Sequence, residues 1–136
     1  MTIVISSKQP IAAGQVVALL RQTDWARERN VVDVAQSMMF NTLNVGAWEV
    51  DGEPEDFADP DRRELIAYAR VMTDWHYKAY LDDVVVAESY RGQGVGQALV
   101  GYIVDKLKDV EEIVLNCSDE LVPFYAKAGF RPSGDN

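Results

Sequence analysis

The stretch that decides the fold runs from Tyr80 to Val100 and reads YLDDVVVAESYRGQGVGQALV. Its three consecutive valines, Val84 to Val86, favour an extended and largely buried strand, because β-branched side chains pack well on a pleated sheet. From Gln97 onward, apolar residues recur at spacings of three and four, which predicts a helix with one buried face. Three glycines at every second position lie between these segments. We therefore expect a glycine loop that joins the end of a strand to the N-terminus of a helix.

Such a loop is suited to binding phosphate. The first helical turn has unpaired backbone N–H groups, and the helix dipole adds partial positive charge there. Glycine also lets a ligand approach the backbone closely, because it has no Cβ. Two nucleotide-binding fingerprints nevertheless fail. The dinucleotide pattern requires a glycine where the chain has Gln97, and the P-loop requires Gly-Lys-Ser/Thr where the chain has Gly96-Gln97-Ala98.

Two motifs resemble the GNAT superfamily of N-acetyltransferases. Residues Arg91 to Gly96 read RGQGVG, which is similar to the family's pyrophosphate loop, Gln/Arg-x-x-Gly-x-Gly/Ala. Residues Phe124 to Phe130 read FYAKAGF, which resembles the family's ending, Phe-Tyr-x-x-x-Gly-Phe. The motifs occur in the family's order, with a predicted helix and strand between them. The resemblance covers residues 65–131, and the first half of the chain matches only in its order of elements.

The predicted order of elements is β-α-α-β-β-β-α-β-α, which suits an α/β (α+β) fold. We expect a central mixed, mostly antiparallel sheet flanked by helices, as the resemblance also implies. The family continues into a further strand after Gly-Phe, whereas only residues 131–136 remain here, so we expect a shortened C-terminus lacking much of that strand. A partner chain could complete this edge, which leaves a homodimer open. Strands are predicted at 2–6, 45–50, 64–73, 80–86 and 112–117, and helices at 12–27, 30–43, 97–108 and 121–128.

Composition narrows the class of protein. The 136 residues fit a single domain, 1–136, and the net charge of −9 argues against nucleic-acid or anionic-membrane partners while favouring a cationic acceptor. Cys117 is the only cysteine and His76 the only histidine, so neither a disulfide nor a metal site is expected. No membrane-spanning run or leader segment is apparent, and we expect a cytoplasmic protein.

The resemblance implies acetyl-CoA as co-substrate. It implies that the Val84–Val86 backbone pairs with the pantetheine arm like an added strand and that one of its N–H groups polarises the acetyl carbonyl. Asn116, at the end of the next predicted strand, would bind a pantetheine amide or else only complete its turn. The cofactor-binding residues expected in this way are Val84, Val85, Val86, Arg91, Gly92, Gln93, Gly94, Val95, Gly96, Gln97, Asn116 and Tyr125.

The resemblance also implies a general acid. Tyr125 corresponds to a family tyrosine near the CoA sulfur, and a free tyrosine, with a pKa of about 10, is protonated at neutral pH. Its hydroxyl could therefore donate a proton to the departing thiolate. The alternative is that Tyr125 only packs in the core with Phe124 and Phe130. Cys117 could instead form an acetyl-enzyme, but no histidine lies near it in sequence, and we expect a buried, inert thiol.

The candidate general base is Asp82, acting directly or through water. Family members often carry a glutamate or histidine at the equivalent of Tyr80 or Asp82. Alternation along the strand predicts that Tyr80 and Asp82 share one face and that Asp83 lies on the other, where it orients the loop or pairs with a basic residue. Asp82 could alternatively attract a cationic acceptor or simply be exposed. Trp25, Tyr80 and Asp82 are the expected substrate contacts.

These features predict an N-acetyltransferase that moves an acetyl group directly from acetyl-CoA to a primary amine of a small molecule or peptide. A non-catalytic module that senses CoA or acyl-CoA is the alternative, since a sensor needs only the loop and the strand.

Overall fold

A computed structural model describes residues 2–40 and 42–133 of the chain. Its elements follow the predicted order. They are β1 (Thr2–Ser6), α1 (Ala13–Leu20), α2 (Val31–Ser37), β2 (Thr42–Val50), β3 (Arg63–Thr73), β4 (Lys78–Val86), α3 (Val95–Lys106), β5 (Glu112–Leu115) and α4 (Val122–Ala126).

The strands form one sheet in the order β1-β2-β3-β4-β5. The first three pairings are antiparallel, and β4 pairs with β5 in parallel. A parallel pair needs a long crossover, which α3 provides between β4 and β5. The predicted mixed, mostly antiparallel sheet flanked by helices is confirmed.

The core lies around β3. Five consecutive residues of this strand, Leu65 to Ala69, are buried, as expected for a strand covered on both faces. Helix α1 packs against β3 and β4, while α3 packs against β2, β3 and β4. The largest fully buried side chains are Trp48, Tyr68, Leu20, Ile66, Leu81, Leu99, Ile103 and Leu107.

Helix α1 is shorter than its apolar pattern predicts. It ends at Leu20 rather than Arg27, and residues 21–30 form an irregular connection to α2. The Thr23 hydroxyl donates to the Leu20 carbonyl and accepts from the Ala26 N–H. These side-chain bonds replace helical backbone bonds, which explains why the helix stops here.

Strand β2 starts earlier than expected, at Thr42, and Asn44 therefore lies in a strand. Its amide donates to the carbonyl of Met38 just beyond α2, so Asn44 contacts the end of that helix from within the sheet. Its side-chain oxygen accepts from the hydroxyl of Tyr68. Burial raises the Tyr68 pKa far above its usual range, so this hydroxyl is a permanent donor.

The C-terminal part matches the prediction in its turn but not in its helix length. Helix α4 has only five residues, and a 3-10 turn, Asp119–Leu121, precedes it. Gly129 has a φ of 97°, a left-handed conformation that follows many helices and suits glycine. Residues 131–133 form no strand, and residues 134–136 lie outside the described residues.

No helix in the described ranges combines the length and the apolar character needed to cross a bilayer.

The glycines of β2 and α3 provide a test of the packing. A Cβ added to Gly46 would lie 2.6 Å from Cη2 of Trp48, whose side chain is buried. We expect Gly46→Ala to force the indole to move and to lower the free energy of unfolding by about 1–3 kcal/mol. A Cβ at Gly101 would meet nothing within 4 Å, so Gly101→Ala should stabilise α3 by about 0.5–1 kcal/mol.

Urea titration of both variants measures these changes. Equal midpoints for Gly46→Ala and the wild type would show that Trp48 is not packed against this glycine.

Candidate active site

The predicted glycine loop lies between β4 and α3. Gly92 and Gly94 have φ values of 78° and 85°, left-handed conformations that favour glycine. A Cβ built on either residue would meet nothing within 4 Å, so both backbones face open space. Gly94 is also the N-cap of α3, where the first-turn N–H groups are free to bind an acceptor. The loop is thus an open cradle of backbone donors at a helix N-terminus.

Gly96 and Gln97 have a different environment. A Cβ on Gly96 would lie 3.1 Å from the Phe124 ring and 3.5 Å from Val86, so the glycine allows α4 to pack tightly on α3. The Gln97 side chain donates to the Phe124 carbonyl at 2.8 Å. The side chains at this end of the motif therefore hold α4, and Val95 between the loop and Gly96 is buried.

Side chains of the loop fold back onto the chain before it. Nε of Arg91 donates to the carbonyl of Val86 at 3.1 Å, and Nε2 of Gln93 donates to the carbonyl of Ser89 at 3.1 Å. These bonds brace the loop against the end of β4. They leave the open side of the loop to the backbone of the two left-handed glycines.

Tyr90, just before the glycine loop, ties the loop to β2, a contact that the sequence did not indicate. Its hydroxyl donates to the carboxylate of Glu49 on β2. That hydrogen bond raises the pKa of Tyr90 to about 12, so the donor persists at any physiological pH.

Strand β4 has a free edge beside the loop. Its pairing with β5 covers only Lys78–Leu81, opposite Glu112–Leu115. Residues 83–86 pair with β3 alone, and Asp82 has no partner in either register. This part of β4 includes the three valines, of which Val85 is buried and the other two are half-buried. Backbone groups on such an edge can pair with an extended ligand.

Asn116 and Tyr80 meet where β4 and β5 part. The Asn116 amide donates to the Tyr80 hydroxyl at 2.9 Å, directly after β5 ends. This contact links the two strands at the last paired positions, so these two predicted site residues lie together.

Tyr125 is held in an aromatic stack. Its ring centroid lies 4.9 Å from that of Phe124 and 6.0 Å from that of Phe130, with edge-to-face geometry, and only 9% of the residue is exposed. Burial, with a smaller effect of nearby Cys117, raises the pKa of Tyr125 above its usual value. The hydroxyl therefore stays protonated throughout the neutral range. Cys117 itself is exposed, contrary to the expected buried thiol.

Asp82 and Asp83 converge on one guanidinium, so the predicted opposition of their side chains is wrong. The β3–β4 register shifts between Arg70 and Val71 and leaves Asp82 as an extra, bulged residue. Nη2 of Arg70 pairs with Asp82, while its Nε lies 3.2 Å from Oδ2 of Asp83. The prediction that Asp83 pairs with a basic residue is confirmed.

A second arginine brings Trp25 to the same cluster. Nη1 of Arg29, in the 21–30 connection, lies 2.9 Å from Oδ2 of Asp83, and its guanidinium carbon lies 5.5 Å from the centre of the Trp25 ring. Trp25 is 54% exposed. The structure thus connects Trp25 with Asp82 through side chains that the sequence analysis did not select.

The arrangement has the parts that acyl transfer to an amine requires: a cradle of backbone donors, a free strand edge, a protonated tyrosine and a carboxylate. Among residues 2–40 and 42–133, no group of three or more His, Cys, Asp or Glu side chains is placed to hold a metal ion. The sequence supplies independent evidence, since the model of the acetyltransferase (GNAT) family matches residues 19–130. The chain belongs to the GNAT acetyltransferase family.

Known relatives agree with this GNAT assignment. An uncharacterized ycf52-like N-acetyltransferase of Prochlorococcus marinus is 29% identical over 98% of this chain and 72% of its own length. The chloroplastic GCN5-related N-acetyltransferase 2 of Arabidopsis thaliana is 32% identical over 94% of this chain, which spans about half, 53%, of that relative. Glucosamine 6-phosphate N-acetyltransferase of Trypanosoma brucei brucei is 41% identical over 38% of this chain and 37% of its own length.

A solved structure of a GNAT-family protein from Xanthomonas campestris superposes with a TM-score of 0.76 and 28% identity. The superposition covers 98% of this chain and 87% of that one. Members of the GNAT family typically use acetyl-CoA and act on amine acceptors.

Arg70 and Arg29, the two arginines that bind Asp83, differ in how well the sequence of this GNAT domain indicates them. Arg70 is a charged residue in the otherwise apolar run LIAYARVM, which is a usable signal of a buried ion pair. Arg29 lies in a connection that carries several charges, and nothing local distinguishes it from Arg27.

The buried ion pairs predict a large effect on stability. We expect Arg70→Met to lower the free energy of unfolding by about 3 kcal/mol, because it leaves Asp82 and the buried Asp83 with less compensating charge. Lys78→Met is the control, since it removes an exposed partner of Glu112 and should leave the urea midpoint almost unchanged. Similar midpoints for the two variants would contradict a buried role for Arg70.

Proposed function

We propose that this GNAT domain transfers the acetyl group of acetyl-CoA directly to a primary amine. The observation that carries the proposal is the position of the open glycine cradle, at the N-terminus of α3 and directly beside the free edge of β4. One ligand with phosphates at one end and an amide-containing arm at the other would use both features. Acetyl-CoA has this shape and supplies the activated acetyl group as a thioester.

The residues suit this ligand in three respects. Gly92 and Gly94 leave open the volume that a Cβ would fill, so phosphate oxygens can approach the loop N–H groups. Residues 82–86 offer unpaired edge groups to the amides of the arm, and one N–H among Val84–Val86 would polarise the acetyl carbonyl. Asn116 lies beside Tyr80 just after β5 ends, where its amide could meet the arm as well.

The chemistry requires that a C–N bond forms while the C–S bond breaks. A cationic acceptor first releases one proton to solvent. Two transfers remain in the reaction itself: the neutral amine loses a proton as it attacks, and the departing sulfur gains one. We assign the second transfer to the Tyr125 hydroxyl, because its raised pKa keeps it protonated. We assign the first to Asp82, through a water molecule, because Arg70 engages its Oδ2 and leaves Oδ1 as the accepting oxygen.

The acceptor is expected to be cationic before it reacts. A net charge of −9 attracts protonated amines, and exposed Trp25 lies in the connection that Arg29 ties to the Asp82–Asp83 pair. The Trypanosoma brucei relative is named for glucosamine 6-phosphate, an amine on a sugar. We therefore propose a small-molecule or peptide amine. A lysine-containing peptide is the cationic probe that the charge favours, and glucosamine 6-phosphate, whose phosphate outweighs its ammonium, is the probe that the relative suggests.

Calorimetric titration with acetyl-CoA, CoA and ATP tests the cofactor. We expect acetyl-CoA and CoA to bind and ATP not to bind, because the loop lacks the lysine of a nucleotide P-loop. The same preparation is then assayed for thiol release with each amine probe. Failure of both CoA ligands to bind would refute the proposal.

Replacement of Tyr125 tests the proposed acid. Tyr125→Phe retains the aromatic packing but removes the proton donor, so kcat should fall by about 100-fold with unchanged acetyl-CoA affinity. The matched control is Tyr77→Phe, which removes a hydroxyl from an exposed turn between β3 and β4. An unchanged kcat for Tyr125→Phe would remove this residue from the mechanism.

A further inference from the structure

One buried carboxylate oxygen forms ion pairs with two arginines from separate parts of the chain. Oδ2 of Asp83 lies 2.9 Å from Nη1 of Arg29 and 3.2 Å from Nε of Arg70. The Asp83 side chain is only 4% exposed. A carboxylate in such a site must be compensated by nearby positive charge, so its partners are confined to a narrow range of positions.

Arg70 extends this constraint to the bulge. Its second nitrogen, Nη2, pairs with Asp82, the extra residue of β4. With two arginines and two aspartates, the cluster has no net formal charge. The position of the Asp82 carboxylate is therefore set by a guanidinium that is itself fixed on buried Asp83.

Arg29 extends the constraint to the 21–30 connection. This connection is tied to the chain at two points, since Arg29 binds Asp83 and the Gln22 side chain accepts from the Glu88 N–H at 2.7 Å. The two anchor points, Asp83 and Glu88, lie at the start and just past the end of the free edge of β4. Trp25 lies between these anchors, and the Arg29 guanidinium covers its ring.

We propose that Arg29 and Arg70 are positioning residues of the acceptor site. They hold Trp25 and the Asp82 carboxylate in a fixed arrangement beside the free edge of β4, where the amine would be presented. This inference rests on the proposed function. Neither arginine lies in the glycine loop, so their contribution concerns the acceptor and not the binding of acetyl-CoA.

The test compares two arginines of one connection. Arg29→Gln breaks the link to Asp83, while Arg70 still compensates that carboxylate and keeps the protein folded. Arg27→Gln is the matched control, because Arg27 pairs with Asp24 and with the Thr23 carbonyl inside the connection. Arg29→Lys retains the charge and should restore part of the effect.

Two readouts are used with full-length protein. Steady-state assays with glucosamine 6-phosphate and the lysine peptide measure KM for the amine, KM for acetyl-CoA and kcat. Hydrogen exchange reports on the connection through its hydrogen-bonded amides, which include those of Arg21, Gln22, Thr23, Ala26 and Arg29.

For Arg29→Gln we expect the KM for the amine to rise about tenfold and exchange in residues 21–30 to accelerate about tenfold, as for loss of one charge-assisted hydrogen bond. The KM for acetyl-CoA should not change, and Arg27→Gln should match the wild type. Equal amine KM values and equal exchange for the two glutamine variants would overturn the inference. A wild type without turnover would refute the proposed function instead, and the exchange comparison would still decide whether Arg29 anchors the connection.

Discussion

The parallel pairing of β4 with β5 stops after four residues, and the rest of the site depends on that interruption. Backbone N–H and C=O groups need hydrogen-bond partners, so a strand edge left open inside a fold is available to another extended chain. The bulge lies within β4, and the glycine loop and α3 follow this strand in the chain. A continuous β4–β5 ladder would close this edge and leave the loop as a simple turn.

Charge compensation around Asp83 fixes the relative positions of the chain segments beside the open edge of β4. Asp83 is buried beside this edge, and its two arginine partners come from β3 and from the connection between α1 and α2. A cluster of this kind contributes little net stability, because desolvation of the charges offsets their attraction. Its main effect is geometric, since each member can be satisfied only in one arrangement of three chain segments.

The sequence predicted the fold and the cradle because both have local signals: periodicity, three valines and glycine spacing. It could not predict the bulge at Asp82, which depends on the register with β3, nor the bond between Arg29 and Asp83, 54 residues apart. Thr23 ended α1 early through side-chain bonds that periodicity does not reveal. The single domain, the cytoplasmic location, the homodimer and the roles of individual site residues stay predictions.

The contact between Gly96 and Phe124 fixes the distance between the glycine loop and Tyr125. Phe124 packs on the start of α3 and stacks against Tyr125, so the phosphate cradle and the tyrosine hydroxyl belong to one rigid unit. Their separation is therefore set by this packing rather than by the ligand. Under the proposed function, a thioester would reach the hydroxyl only if its arm spanned that distance, so acyl carriers would be selected by the length of the arm as well as by its chemistry.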